Sequence, residues 1–207
     1  MTVFNVNFNV DDMEGKTVLV FLKPQPPQRN YRIHAWQVLT GSSQSTESFC
    51  YEAVIECDVS STGEKEGNSI ISGRKEINPG CLMQAISPNN LSPKLELAPT
   101  TLAEQKLTPE QAGVINKTNP YIQFDCNWYV NGRPVVTMPK VDSNMTCSFE
   151  YEPHFYFMVA TPPMIGQTYI VQNFSDMTKY VAPITATEVD VTLTRENGRW
   201  TFDFIAG

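Results

Sequence analysis

Apolar and polar residues alternate from the start of the chain. Phe4, Val6, Phe8 and Val10 are separated by Asn5, Asn7 and Asn9, the two-residue period of a strand with one dry side. Asp11 to Gly15 reads as a turn. Residues 17–22, TVLVFL, predict a second strand that is apolar almost throughout. The Pro-rich stretch 23–27 ends it, because proline cannot donate to a ladder. Residues 33–39 read as a third strand carrying His34 and Trp36. Residues 49–59 alternate again, with Phe49, Tyr51, Ala53, Ile55, Cys57 and Val59 on one face and Glu52, Glu56 and Asp58 on the other. A polar turn over 60–67 and a short strand over 69–72 follow.

Residues 87–120 break the pattern, with Pro at 88, 93, 99, 109 and 120. Thr101-Leu-Ala-Glu104 and Thr108-Pro-Glu-Gln111 both match the capping box, which predicts short helical turns in a long connection. The later sequence carries two Asn-Gly pairs between alternating runs, at 131–132 and 197–198. Both residues tolerate the positive φ of a type I′ turn, so each pair predicts a hairpin. In the second, Glu196 should face Arg199, Arg195 face Trp200, Leu193 face Phe202 and Val191 face Phe204, with Thr194 beside Thr201 and Thr192 beside Asp203. The Arg195–Trp200 pair predicts a cation–π contact. In the first, Trp128 should face Val135 and Cys126 face Thr137, with Pro134 making the return strand an edge or a bulged strand. Further strands are expected over 145–151, 155–161, 168–172 and 179–181. Roughly ten to twelve short strands with regular turn signals predict an all-β fold, an antiparallel β-sandwich with a long Pro-rich connection carrying short helical turns. The expected organisation is one domain over 1–207, with halves 1–86 and 114–207 joined by 87–113 as the alternative.

Composition narrows the function classes. Charged residues are 18% of the 207, and the net charge is −7. No Lys/Arg run exists to attract a phosphate backbone, so no nucleic-acid partner is expected. No stretch reaches the length of a transmembrane helix, and the N-terminus lacks a signal-peptide pattern. The expected location is cytoplasmic, or outside the cell by a route without a classical signal. The five cysteines (Cys50, Cys57, Cys81, Cys126, Cys147) are odd in number and form no CxxC pair, which predicts reduced, mostly buried thiols. The sequons at Asn116, Asn144 and Asn173 carry no weight without an export signal.

Candidate chemistry is sparse. The only histidines are His34 and His154. No nucleophile elbow, HExxH helix, phosphate loop or dinucleotide fingerprint occurs, so no catalytic residue, metal site or cofactor is assigned. Glu52, Glu56 and Asp58 read as a solvated outer face, and Asp11 to Gly15 as a turn lacking the spaced ligands of a calcium loop. The densest aromatic run is Phe149-Glu-Tyr151-Glu-Pro-His154-Phe-Tyr156-Phe-Met158. Aromatic rings beside carboxylates suit stacking on a sugar or another flat ligand. His34, Trp36, Tyr151, His154 and Tyr156 are therefore the candidate ligand-binding set, against a core strand with a Pro-His corner.

That run, together with Gly166-Gln-Thr-Tyr-Ile and the closing Glu196-Asn-Gly-Arg-Trp200-Thr, resembles the rhizosphere-induced protein family. Gly15-Lys-Thr-Val-Leu-Val-Phe and Ala35-Trp36 match its early strands, while 87–113 does not align. The resemblance implies a β fold and no settled activity. The expected function is a non-enzymatic binding protein for a carbohydrate, a small ligand or a protein partner. The alternatives are a membrane-active, pore-forming-type toxin using residues 58–73, and an enzyme built around His34 or His154. A homo-oligomer through edge strands, such as 133–138, is a further expectation.

Overall fold

The computed structural model describes residues 1–23, 31–62, 69–88, 92–119, 122–150, 154–160, 168–169 and 177–207. The described chain is mostly strand. In chain order the elements begin with β1 (Thr2–Phe8), β2 (Thr17–Leu22), β3 (Arg32–His34), β4 (Gln37–Leu39), β5 (Thr46–Tyr51), β6 (Ile55–Thr62), β7 (Ser69–Ile71), β8 (Lys75–Glu76), β9 (Leu82–Ile86) and β10 (Lys94–Leu97). Helix α1 (Thr100–Lys106) comes next. Then follow β11 (Gln111–Asn116), β12 (Phe124–Val130), β13 (Arg133–Val141), β14 (Thr146–Glu150), β15 (His154–Ala160), β16 (Thr168–Tyr169), β17 (Thr178–Val181), β18 (Glu188–Glu196) and β19 (Arg199–Ala206). The fold is all-β with several antiparallel ladders.

The chain forms two compact units that do not follow chain order. One comprises 1–23, 33–53 and 153–207, the other 24–32 and 54–152. The first unit has two four-stranded sheets, in the orders β19-β18-β1-β5 and β17-β15-β2-β4. The N-terminal strand lies parallel to β18, with Phe4 beside Val189 and Phe8 beside Leu193. Phe4, Val6 and Phe8 are fully buried, as their alternation requires. Phe4 stacks on Phe49 at 4.8 Å and meets Phe155 at 4.7 Å, and Phe157 meets Phe204 at 5.1 Å. This aromatic cluster is the core of the unit.

The second unit carries the ladder β13-β12-β6-β7, with β8 also on β6, and the sheet β10-β9-β11-β14. Trp128 of β12 stacks on Phe149 of β14 at 5.6 Å. Helix α1 lays Leu102 and Ala103, with its C-cap Leu107, on Leu82 and Ile115 of the second sheet. Its N-cap is Pro99, with no side-chain cap bond, rather than Thr101. The second capping-box sequence makes a turn leading into β11. The 87–113 span thus holds β10 and α1 and leads directly into a strand.

Three strand readings change. Residues 33–39 are two short strands: β3 pairs with β16 and β4 with β2. Residues 49–59 are likewise two strands, β5 and β6, separated by 52–54. Ile55 follows Tyr51 by an even number of residues, so the alternation runs through the break without changing phase. The first hairpin is offset by one residue, with Trp128 opposite Val136 and Cys126 opposite Met138. The shift follows Pro134, which faces Tyr129 and has no N–H to give. A second shift adjoins Pro139, where Lys140 takes φ 56° and its N–H donates to Asp125 Oδ1 at 2.9 Å. The second hairpin has all six expected pairings, and Arg195 lies 4.9 Å from the Trp200 ring centre.

Candidate functional site

The outward face of the first unit's sheet β19-β18-β1-β5 is a grid of small polar side chains. Residues opposite one another across a ladder share a face. Ser48, Asn5, Asp190 and Ile205 therefore form one row, and Thr46, Asn7, Thr192 and Asp203 the next. Ser48 donates to Asn5 Oδ1 at 2.8 Å, and Asn5 Nδ2 donates to Glu188 Oε1 at 2.6 Å and to Asp190 Oδ1 at 3.2 Å. Thr46 donates to Asn7 Oδ1 at 2.7 Å. The hydroxyls of Thr194 and Thr201 bond at 2.6 Å. Each bond fixes a rotamer and leaves further lone pairs turned outward.

The loop between β4 and β5 gives this face its relief. Gly41 meets the Phe8 ring so closely that a Cβ there would lie 2.3 Å from Phe8 Cε2. Gln44 takes φ 60°, a left-handed conformation uncommon outside glycine. Its N–H donates to Phe8 O at 2.8 Å and its side-chain amide to Val10 O at 3.2 Å. Two shallow clefts border the loop. One, of about 340 Å³, is lined by Asn7, Asn9, Gln44, Thr46 and Thr192, with Phe8 and Ser45 completing it. The other, of about 350 Å³, lies between Asp12–Glu14 and Thr40–Ser43. There Asp12 is held below the usual carboxylate range, first by the Lys16 ammonium at 2.8 Å and then by the Glu14 N–H at 2.8 Å.

The residues singled out from sequence lie elsewhere. Trp36 is buried against Phe49, Tyr51 and Phe155. Phe155 points to the aromatic core, so its neighbours His154 and Tyr156 on β15 point to the opposite face of their sheet. Trp36 is therefore not brought to the same surface as His154 and Tyr156. Both of the latter are buried, and the Lys23 ammonium lies 5.7 Å from the Tyr156 ring. His34 is half-buried on β3, beside Thr168 in the ladder. Tyr151, residues 24–27 and the Gly166 link lie outside the described residues.

The second unit has its own polar row. Asp58, far from solvated, is 5% exposed. It accepts from Asn127 Nδ2 at 2.7 Å, and Asn127 Oδ1 accepts from Thr137 at 2.8 Å. Tyr129 also bonds Asp58; burial first and that bond second push its phenol up to about 12. Arg74 lies 3.6 Å over the Tyr129 ring and 3.9 Å from Glu56. Every one of these groups is engaged within the row. On the sheet's other side, Cys57, Cys126 and Cys147 share a dry core. Burial, then the neighbouring thiol of Cys147, raises Cys57 and Cys126 far above the ordinary thiol value. Cys147 donates to Val114 O at 3.4 Å. Among the described residues no group of three or more His, Cys, Asp or Glu is placed to hold a metal ion.

The sequence showed Asn5, Asn7 and Asn9 as the wet side of a strand. It held no sign that Thr192, from the far end of the chain, would stand beside them. Comparisons with protein-family models, curated proteins and solved structures give no match. No helix among the described residues is long and apolar enough to cross a membrane.

Proposed function

We propose that the protein is a non-enzymatic binding protein whose first unit, a β-sandwich, recognises a hydroxyl-rich ligand, a carbohydrate, at the cleft beside Asn7, Gln44 and Thr192. The observation that carries this reading is the pre-bonded grid of amides, hydroxyls and carboxylates on one exposed sheet face. Such groups match the alternating donors and acceptors of vicinal hydroxyls. Because their rotamers are already fixed, little side-chain entropy is lost on binding. A formal charge of −7 disfavours anionic ligands. The strained backbone at Gln44 borders the same cleft, and strain of this kind concentrates at ligand sites. The sandwich assignment is supported by the ring contacts from Phe4 and Phe49 of one sheet to Phe155 and Trp36 beside the other. An enzyme using His34 or His154 draws less support, since neither borders the cleft.

The test is a glycan array followed by calorimetry with the best neutral saccharide. Thr192→Arg should fill the cleft. It should weaken binding roughly tenfold or more, a loss of about 1.4 kcal/mol, while the thermal midpoint shows that the variant, at a half-buried position of the outward face, still folds. An array with no neutral glycan bound, or equal affinity in the variant, would sink the reading; a hit confined to proteins would replace it.

A further inference from the structure

We infer that β19 is a self-association edge, through which the sheet of one copy continues antiparallel into the sheet of a second. This rests on different residues from the ligand cleft and stands independently of it.

Strand β19 ends the order β19-β18-β1-β5, and its eight residues make it the longest terminal strand among the described sheets. It contains no Pro or Lys, and its register with β18 runs without a bulge. Proline and a bulge, two of the devices that blunt an edge, are thus missing, and its charges, Arg199 and Asp203, are of opposite sign. Backbone parity shows what the edge offers. A two-residue turn makes Glu196 and Arg199 a hydrogen-bonded pair, and Gly207 N donates to Glu188 O at 2.9 Å at the other end. Odd-numbered residues of β19 therefore spend their backbone groups on β18. The N–H and C=O groups of Trp200, Phe202, Phe204 and Ala206 point outward.

Two such edges can meet antiparallel only with outward residues facing outward residues. Four central registers satisfy this, and the one centred on Phe204 sets Asp203 against Ile205. Centring on Asp203 sets two carboxylates against each other. Centring on Phe202 sets Arg199 against Ile205. Centring on Thr201 sets Trp200 against Phe202 of the second copy and Arg199 against its Asp203, twice over by symmetry. The charge pairs then fall at non-hydrogen-bonded positions, where side chains approach most closely. Arg199 and Asp203 are exposed and make none of the ion pairs seen among the described residues. The register centred on Thr201 alone satisfies both charges.

Sedimentation velocity across the micromolar range tests this. The wild type should pass from monomer to dimer as concentration rises. Asp203→Arg and Arg199→Asp should each weaken the dimer about tenfold or more, because two attractions become two repulsions. The double exchange Arg199→Asp/Asp203→Arg should restore it, and its recovery also shows that the single variants fail at the edge rather than in folding. A wild type that stays monomeric, single variants that dimerise normally, or a double exchange that does not recover would each overturn the inference.

Discussion

Tyr129 shows how one side chain ties a row of strands together. Its hydroxyl serves the buried Asp58, and its ring carries Arg74. Asp58 in turn holds Asn127, and the Tyr129 link to this row lasts only while the phenol keeps its proton. The folded phenol titrates near 12, against an ordinary value of 10.0. The unfolded chain therefore releases this proton first. Stability from this group is complete below about pH 10 and is lost as pH rises toward about 12. Chemical denaturation at stepped alkaline pH should show that decline, and Tyr129→Phe should flatten it while lowering stability at neutral pH. A variant whose alkaline curve parallels the wild type would remove Tyr129 from this role.

Glycines separate two causes of constraint at the level of elements. Gly198 takes φ 81° in the tip of the β18–β19 hairpin, and a methyl group placed on it would have nothing within 4 Å. Gly198→Ala should cost only the left-handed backbone penalty, about 1–2 kcal/mol. Gly41 lacks space instead, since its Cβ would strike the Phe8 ring. Gly41→Ala should cost more than Gly198→Ala, because Phe8 lies in a fully buried core and cannot yield without moving β1. Urea midpoints in the reverse order would contradict this account. The same elements show what could be read from the chain. The β18–β19 register was legible to the residue because a two-residue turn fixes it and every apolar residue has an apolar partner. The β12–β13 register slipped by one because proline displaces a ladder bond without disturbing the apolar pattern. The break at 52–54 left no trace in the alternation. The β1–β18 pairing, which assembles the polar grid, joins segments over 180 residues apart, and local pattern carries no such information. The aromatic run drew attention to His154 and Tyr156, yet rings were recruited to cores, and the exposed face was built from the least conspicuous residues, Asn, Ser and Thr.

Across the molecule, the cysteines divide by unit and by burial. Cys50 is exposed on the outer face of the first unit, beside Val3 in the ladder. Cys57, Cys126 and Cys147 are all buried in the second unit, and Cys81 is half-buried there. Only a thiolate attacks a disulfide reagent; burial keeps Cys57 and Cys126 protonated, and the closed core shuts the reagent out from Cys147. In the native protein, an aromatic disulfide reagent should therefore label Cys50 promptly and Cys81 more slowly, leaving three thiols untouched. Those three should react only as the second unit opens, so their labelling in rising denaturant reports that unit's own stability. Peptide mapping after a brief native pulse decides the assignment. If Cys126 or Cys147 carries label at the rate of Cys50, the face of β12 bearing Trp128 is not a closed core, and Trp128 does not seal against Phe149 in solution.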